Sequence, residues 1–395
     1  MPPSRPPTVV LAPDSFKGSL DAAAVCAAMA RGLRRVWPDA EIRACPMADG
    51  GEGTLDAVLS RGGERRTREL TGAGGARRLA AYGLVTTPDG PAAVIEAAEI
   101  VGITDADGMA VNVAARSTRG IGELLRALLH DGIRRFLIGL GGSSTNDGGA
   151  GLLAALGLVL ADARGTAVAP TPAGLAALAR VDAGDLDPLL ADCAITIMSD
   201  VDNPLCGERG ATAIFGPQKG VRPPEVAVFD ATLGRYAALV ARALATRAAD
   251  RPGAGAAGGL GFALQLLGGD PRSGAEVVAD LIGLDAAFAG ADWAITGEGR
   301  TDSQTLSGKA PYVVARRARA AGVPITLLSG AVDAAALPAL ASVYAGCFAL
   351  PAGPLALADC VAGADALAAD RAEQIARLWS AAQRHGGRML SPPVE

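Results

Sequence analysis

Short apolar runs alternate with amphipathic stretches at both ends of the chain. Residues 8–12 form a β-branched and apolar run that predicts a strand. Ser19 then stands as the N-cap of a helical pattern over 20–36, with Asp21 in its first turn. A second strand is predicted over 41–45, followed by DGGEGT at 49–54 and a helix starting near Thr54. This β-α-β-α opening favours parallel strands. The other end has the same grammar: a strand over 292–296, a polar loop over 297–307, a helix over 311–321, and strands over 323–328 and 343–350. The two ends are expected to complete one sheet. Ligands of such sheets bind outside the carboxyl ends of the strands. Asp14, Lys17, Asp49, Glu52, Glu298 and Asp302 all follow predicted strands there.

The middle has a different texture. Residues 84–87 and 93–95 read as two arms of a hairpin around Pro88-Asp89-Gly90. A strand over 134–140 enters the loop GGSSTNDGG at 141–149, and a helix over 150–156 follows. A strand over 194–199 runs into an acidic loop. A long helix is predicted over 231–248, and 251–260 is rich in glycine and alanine. The expected class is α/β with two domains. A Rossmann-like parallel-sheet domain takes 8–65 and 285–384, and an inserted mixed α/β domain takes 66–284.

Composition narrows the chemistry. Half of the 395 residues are apolar, and 36 basic against 41 acidic residues leave a charge of −5. That balance gives no sign of a nucleic-acid partner. No apolar run is long enough to predict a membrane span. Residues 1–7 are Pro-rich and lack the apolar core of a signal peptide. Six widely spaced cysteines show no metal or redox spacing, so buried free thiols and a cytoplasmic location are expected. The two histidines are placed badly for a triad: His130 ends a helical run, and His385 sits in a polar stretch. Acid–base groups are therefore carboxylates or lysines.

Familiar nucleotide motifs do not account for the chain. Gly308-Lys309 is the nearest approach to a Walker A motif, but Ser303 and Ala310 occupy its flanking positions. Gly253, Gly255 and Gly258 fit a dinucleotide fingerprint, yet they follow a helix and an Arg-Pro break, not a strand. The loop holding Gly141, Gly142, Ser143, Ser144, Asn146 and Asp147 reads as an anion site, for a phosphate or a carboxylate; a tight strand–helix turn is the plainer alternative. Asp14, Ser15 and Lys17 stand beside a helix N-terminus. Asp49 and Glu52 flank Gly50 and Gly51. Asp200 and Asp202 follow a strand, and FGPQKG at 215–220 places Lys219 between glycines. Glu298, Arg300, Asp302, Gln304, Ser307 and Lys309 form the densest polar group. Phosphoryl transfer needs such parts: an orienting acid or base, Mg²⁺ ligands, and cations for developing charge. Asp200 is assigned as the acid that orients or deprotonates the attacking hydroxyl, Lys17, Asp14 and Asp49 as further catalytic groups, and Asp302 with Glu298 as Mg²⁺ ligands.

These segments resemble the type 1 glycerate kinases. The resembling stretches are APDSFKGSL at 12–20, MADGGEGT at 47–54, STRGIGELL at 117–125 and GLGGSSTNDGGAG at 139–151. SDVDNPLCGERGAT at 199–212, IFGPQKG at 214–220, PGAGAAGGLG at 252–261 and ITGEGRTDSQTLSGK at 295–309 complete the set. They add Arg119 and Gly255 to the candidate binding residues. Ala73 stands where the family usually has proline in a Gly-Pro-x-Gly turn. The resemblance implies ATP-dependent phosphorylation of D-glycerate with Mg²⁺, mostly to 2-phosphoglycerate. It also implies two α/β domains, one inserted into the other, with the active site in the cleft. D-glycerate and ATP are the expected partners, in a monomer or homodimer. Attack through the 3-hydroxyl, a related small hydroxy acid, and a non-catalytic sugar-acid-binding protein remain as alternatives.

Overall fold

A computed structural model describes residues 5–385. Two compact units divide the chain. The first combines the chain up to Ala48 with the chain from Val278 on, and the second is Asp49–Val277.

The first unit is built on a five-stranded parallel sheet in the order Gly346–Ala349, Ile325–Ser329, Trp293–Thr296, Thr8–Leu11, Glu41–Ala44. The three inner strands are buried along their whole length, which is why they read as continuous apolar runs. The two chain ends thus complete one sheet, as the sequence pattern predicted. The helix Ala22–Val36 packs on the C-terminal helix Ala364–His385. Its cap is Asp21, whose carboxylate accepts from Ala24 N at 2.7 Å, so the expected cap at Ser19 is corrected by two residues. The two helices approach until a Cβ on Gly32 would lie 1.9 Å from the carbonyl oxygen of Ala369. Ala368, Ala369, Ala372 and Ala376 make the facing stripe. Trp37, Trp293 and Trp379 form a contiguous group with ring centroids 5.4–6.3 Å apart.

The second unit carries a six-stranded mixed sheet. Its order is Asp270–Arg272, Ala194–Met198, Arg135–Gly139, Gly90–Glu96, Arg77–Thr87, Glu64–Thr71. The first four strands are parallel and the last two pairings antiparallel. The predicted hairpin is present, but its first arm starts at Arg77 and its outer partner, Glu64–Thr71, was not foreseen. That edge strand reads ERRTRELT, mostly charged and exposed, so it lacks the apolar alternation that marks a strand. Charge on an edge discourages further pairing. The long helix runs over Val226–Ala243, five residues earlier than expected. The glycine-rich segment enters the helix Ala256–Leu266 through a kink, with Ala257, Gly258 and Gly259 at positive φ. The six cysteines are thiols; only Cys26 and Cys45 are buried, so four are less enclosed than expected. No helix among the described residues is long and apolar enough to cross a membrane.

The Gly32 contact gives a direct test. Gly32→Ala is expected to destabilise the first unit by about 2 kcal/mol or more, because neither helix backbone can yield cheaply. All three tryptophans belong to this unit, so the loss is read as an earlier tryptophan-emission transition in urea.

Candidate active site

In the second unit, the four parallel strands end at Arg272, Met198, Gly139 and Glu96. The segment DGGEGT at 49–54 is laid directly across these ends. A Cβ on Gly274 would lie 2.1 Å from the Asp49 carbonyl oxygen, and one on Gly139 would lie 2.6 Å from that of Gly50. Gly50 has φ +92°, and its own Cβ would strike the Met198 carbonyl at 2.6 Å. Gly141 N donates to Gly50 O at 3.1 Å. At the far end the buried Glu96 carboxylate accepts from Gly53 N at 3.2 Å and Leu55 N at 3.1 Å. The loop therefore presents Asp49, half-buried, and Glu52, exposed, over the carboxyl edge of the sheet.

Asp200 lies two residues past the Ala194–Met198 strand. It is exposed as a residue, but its carboxyl group faces Ser273 and the Gly274 amide and loses solvent there. That desolvation, and then the charges of Asp49 and Glu276, push its pKa up to about 6, opposed by the nearby Ser273 hydroxyl and Gly274 amide. Asp202 is engaged elsewhere, paired with Arg209 at 3.3 Å.

The loop expected to cradle an anion is arranged differently. The buried Asp147 carboxylate accepts from Thr118 N at 2.7 Å, Thr118 Oγ1 at 2.9 Å, Gly149 N at 3.1 Å and Gly151 N at 3.1 Å. The start of the helix Ala150–Ala155 is thus filled by the chain's own anion. Lys219 is only 2% exposed, and its Nζ donates to Ser143 Oγ at 3.1 Å and Thr145 O at 2.8 Å. Burial lowers its pKa to about 7, partly offset by Asp147. Ser144 bonds Val101 O through both N and Oγ, and Asn146 Nδ2 donates to Thr212 Oγ1 at 3.0 Å. Buried Arg116 donates to Ser144 O and Lys219 O, joining three loops. Ser143, Ser144, Asn146, Asp147 and Lys219 are therefore brought together inside the fold, as a polar core and not as an open nest. Gly141 and Gly142 stay at the rim. Gly255 is a packing position, with N bonded to Asn203 O at 2.8 Å. Arg119 is exposed and paired with Glu123 at 3.3 Å.

In the first unit the carboxyl edge gathers a second set. Asp14 N donates to Gly297 O and Gly330 N to Glu298 O, so the loops after three neighbouring strands are tied together. Asp14 is buried and accepts from Ser15 N at 2.6 Å; Ser15 is half-buried and Lys17 exposed. Buried Glu298 takes the Thr305 and Thr301 hydroxyls on Oε1, at 2.6 and 3.1 Å, and faces Lys309 Nζ at 3.6 Å through Oε2. Burial raises its pKa despite these partners. Asp302 caps the 303–307 turn, with Oδ1 accepting from Gln304 N at 2.9 Å. Among the described residues no group of three or more His, Cys, Asp or Glu is set to enclose a metal.

Sequence reading missed Glu96, Arg116 and Thr118. Glu96 carried a usable signal, since it too is an acid placed directly after a predicted strand.

Two α/β units with acids and lysines on glycine-rich loops at the carboxyl ends of parallel strands define an α/β enzyme of small-molecule chemistry. The sequence signature of the glycerate kinase family matches residues 9–380, and the chain belongs to that family. It is 41% identical over 327 residues to the glycerate 2-kinase of Escherichia coli, covering 82% of this chain and 85% of that one. It is 37% identical over 384 residues to the glycerate kinase of Bacillus cereus, covering 95% and 99%. A crystal structure of a protein assigned provisionally as glycerate kinase 2 from Salmonella typhimurium LT2 superposes with TM-score 0.83 at 40% identity, covering 96% of this chain and 100% of that one.

The internal role of Asp147 is testable. Asp147→Ala leaves several buried N–H groups unpaired and is expected to cost about 3 kcal/mol or more in urea denaturation. An external-anion role predicts near wild-type stability with a loss of ligand affinity instead.

Proposed function

We propose that this chain is an ATP-dependent kinase that transfers the γ-phosphate of ATP to the 2-hydroxyl of D-glycerate in the cytoplasm. The observation that carries the reading is Asp200, in a chain whose relatives are named glycerate kinases. It is a carboxylate beside a carboxyl edge, open to a small substrate, with its proton affinity raised toward neutrality. A general base works best with a pKa near the operating pH. The glycerate hydroxyl oxygen bonds to the γ-phosphorus, the bridging oxygen leaves with ADP, and the hydroxyl proton passes to Asp200. Asp49 and Glu52 orient the substrate from the glycine loop, with Gly141 and Gly142 next to them. Lys17 sets a compact positive charge against the transferring group, with Asp14 shaping its loop.

Asp302 and Glu298 fit Mg²⁺. Asp302 uses one oxygen for its cap and has a second, and Glu298 Oε2 meets only the longer contact to Lys309. Mg²⁺ is commonly held by one or two carboxylates together with water and substrate phosphates, so a full protein cage is not required. Bound there, the ion would neutralise phosphate charge.

Purified protein with MgATP and D-glycerate is expected to release ADP in a coupled assay, and phosphorus NMR to show 2-phosphoglycerate. 3-Phosphoglycerate would move the attack to the other hydroxyl, and absence of turnover would leave a binding protein. Asp200→Asn is expected to keep its nucleotide affinity and Mg²⁺ requirement while losing about 10²-fold or more in kcat. The raised pKa also sets a stability sign. The native state holds this proton over a pH window, from the ordinary aspartate value of 3.8 to about 6, in which the unfolded chain has released it. Stability from this group is therefore lost as pH rises through that window, and Asp200→Asn is expected to raise Tm at pH 7. Asp302→Asn is expected to need much more Mg²⁺ for half-maximal rate. Lys17→Ala is expected to fold normally and lose at least about tenfold in kcat/KM.

A further inference from the structure

We propose that Glu96 is a positioning residue for the transfer reaction: as a carboxylate it clamps the 49–54 loop in its working conformation, and on protonation it releases it. The inference rests on the kinase reading above. Glu96 closes the Gly90–Glu96 strand, is 3% exposed, and turns its carboxylate to the loop backbone. Each of its oxygens takes a different backbone donor. Oε1 accepts from Gly53 N and Oε2 from Leu55 N, the two amides on either side of the start of the Thr54–Leu59 helix. Glu52, immediately before Gly53, depends on that anchor for its place over the strand ends, whereas Asp49 at the other end of the loop is held by the close approach of its carbonyl to Gly274. Protonation turns one of the two oxygens into a hydroxyl, which presents a hydrogen to an amide that already carries one.

The surroundings put that change within reach of physiological pH. The charged groups facing Glu96 are Glu99, on the helix Ala97–Val101, and Asp56, on the helix Thr54–Leu59; both are negative. Burial first, and then these charges, push the pKa up to about 7 against the two amide bonds. Stability and loop order then respond in opposite directions. A folded pKa raised from 4.5 to about 7 means that stability from this group is present at low pH and lost as pH rises through that window. The clamp, in contrast, forms as pH rises. A residue that served stability alone would not give that opposition.

The test compares wild type, Glu96→Gln and Glu99→Gln across the neutral pH range. Two readouts are used: kcat/KM with MgATP and D-glycerate, and hydrogen exchange of the Gly53 and Leu55 amides corrected for intrinsic rate. Wild type is expected to show an ionisation at about 7 beside the one from Asp200. Glu96→Gln is expected to lack it and to run about tenfold slower on the alkaline side. Glu99→Gln is expected to keep it, moved to lower pH by removal of a neighbouring negative charge. Amide protection in wild type is expected to fall as pH drops through the same range. An unchanged profile in Glu96→Gln, or pH-independent protection in wild type, overturns the proposal. Failure of the kinase reading shows as absent turnover in wild type, and the exchange data still decide the clamp. If Glu96→Gln does not fold, wild-type exchange and the shift in Glu99→Gln decide it.

Discussion

The carbonyl oxygens of Asp49 and Gly50 lie where side chains of residues 274 and 139 would begin. The rest of the second unit's edge follows from that contact. A loop that rests on strand ends at backbone distance cannot slide, and side chains projecting from it inherit the precision of the sheet. The cost is that several positions admit only glycine. Gly139 ends its own strand, where the lack of a side chain weakens local packing. The sequence accepts that weakness at a carboxyl edge, where ligands of such sheets bind. The opposite device holds the first unit's edge, where backbone hydrogen bonds from Asp14 and Gly330 tie adjacent loops together.

Two aspartates on glycine-rich loops show how physical context separates structure from chemistry. Asp147 and Asp200 both follow parallel strands, and both are pushed toward the protonated form by loss of solvent. Asp147 has five donors in hydrogen-bond range, the Ser117 hydroxyl among them, and is sealed from water. Its charge is spent on holding Thr118, Gly149 and Gly151, and nothing from outside can reach it. Burying an isolated carboxylate costs several kcal/mol, so such full satisfaction is required merely to keep it. Asp200 has fewer donors, two negative neighbours and an open side. A group left in that state can take a proton from a substrate and give it back.

Most of the architecture was legible in the sequence because apolar periodicity and glycine placement agreed. The inner strands of the first unit are buried on both faces, so their apolar runs could not be mistaken. The Glu64–Thr71 strand was invisible for the opposite reason: an edge strand that buries only Leu70 needs no apolar pattern. The site was half legible. Acids after strands marked Asp14, Asp49, Asp200 and Glu298, and all four stand at carboxyl edges. The loop 141–149 misled, because glycine, serine and aspartate at a strand–helix junction suit an internal carboxylate as well as a bound phosphate. One sequence cannot tell whether the anion at a helix start is a ligand or a side chain folding back from two residues away. Lys219 misled similarly; glycines around a lysine suggest an exposed flexible loop, yet the 3₁₀ turn Pro217–Lys219 carries it inward.

With two histidines in the chain, neither on a carboxyl edge, proton transfer at neutral pH must be managed by groups whose ordinary pKa lies far from 7. Here the carboxylates are brought there by desolvation and like charge, and both lower stability. Asp200 and Glu96 share that predicament at the same sheet edge, but they differ in access. Asp200 faces outward and can meet a substrate hydroxyl. Glu96 is enclosed and can meet only the backbone of the loop beside it. A buried carboxylate that spends both oxygens on two loop amides, next to two further acids, is a poor choice if stability were the only demand, since a glutamine or an apolar residue would avoid the penalty. Its presence at this position is accounted for by what the charge does to the loop.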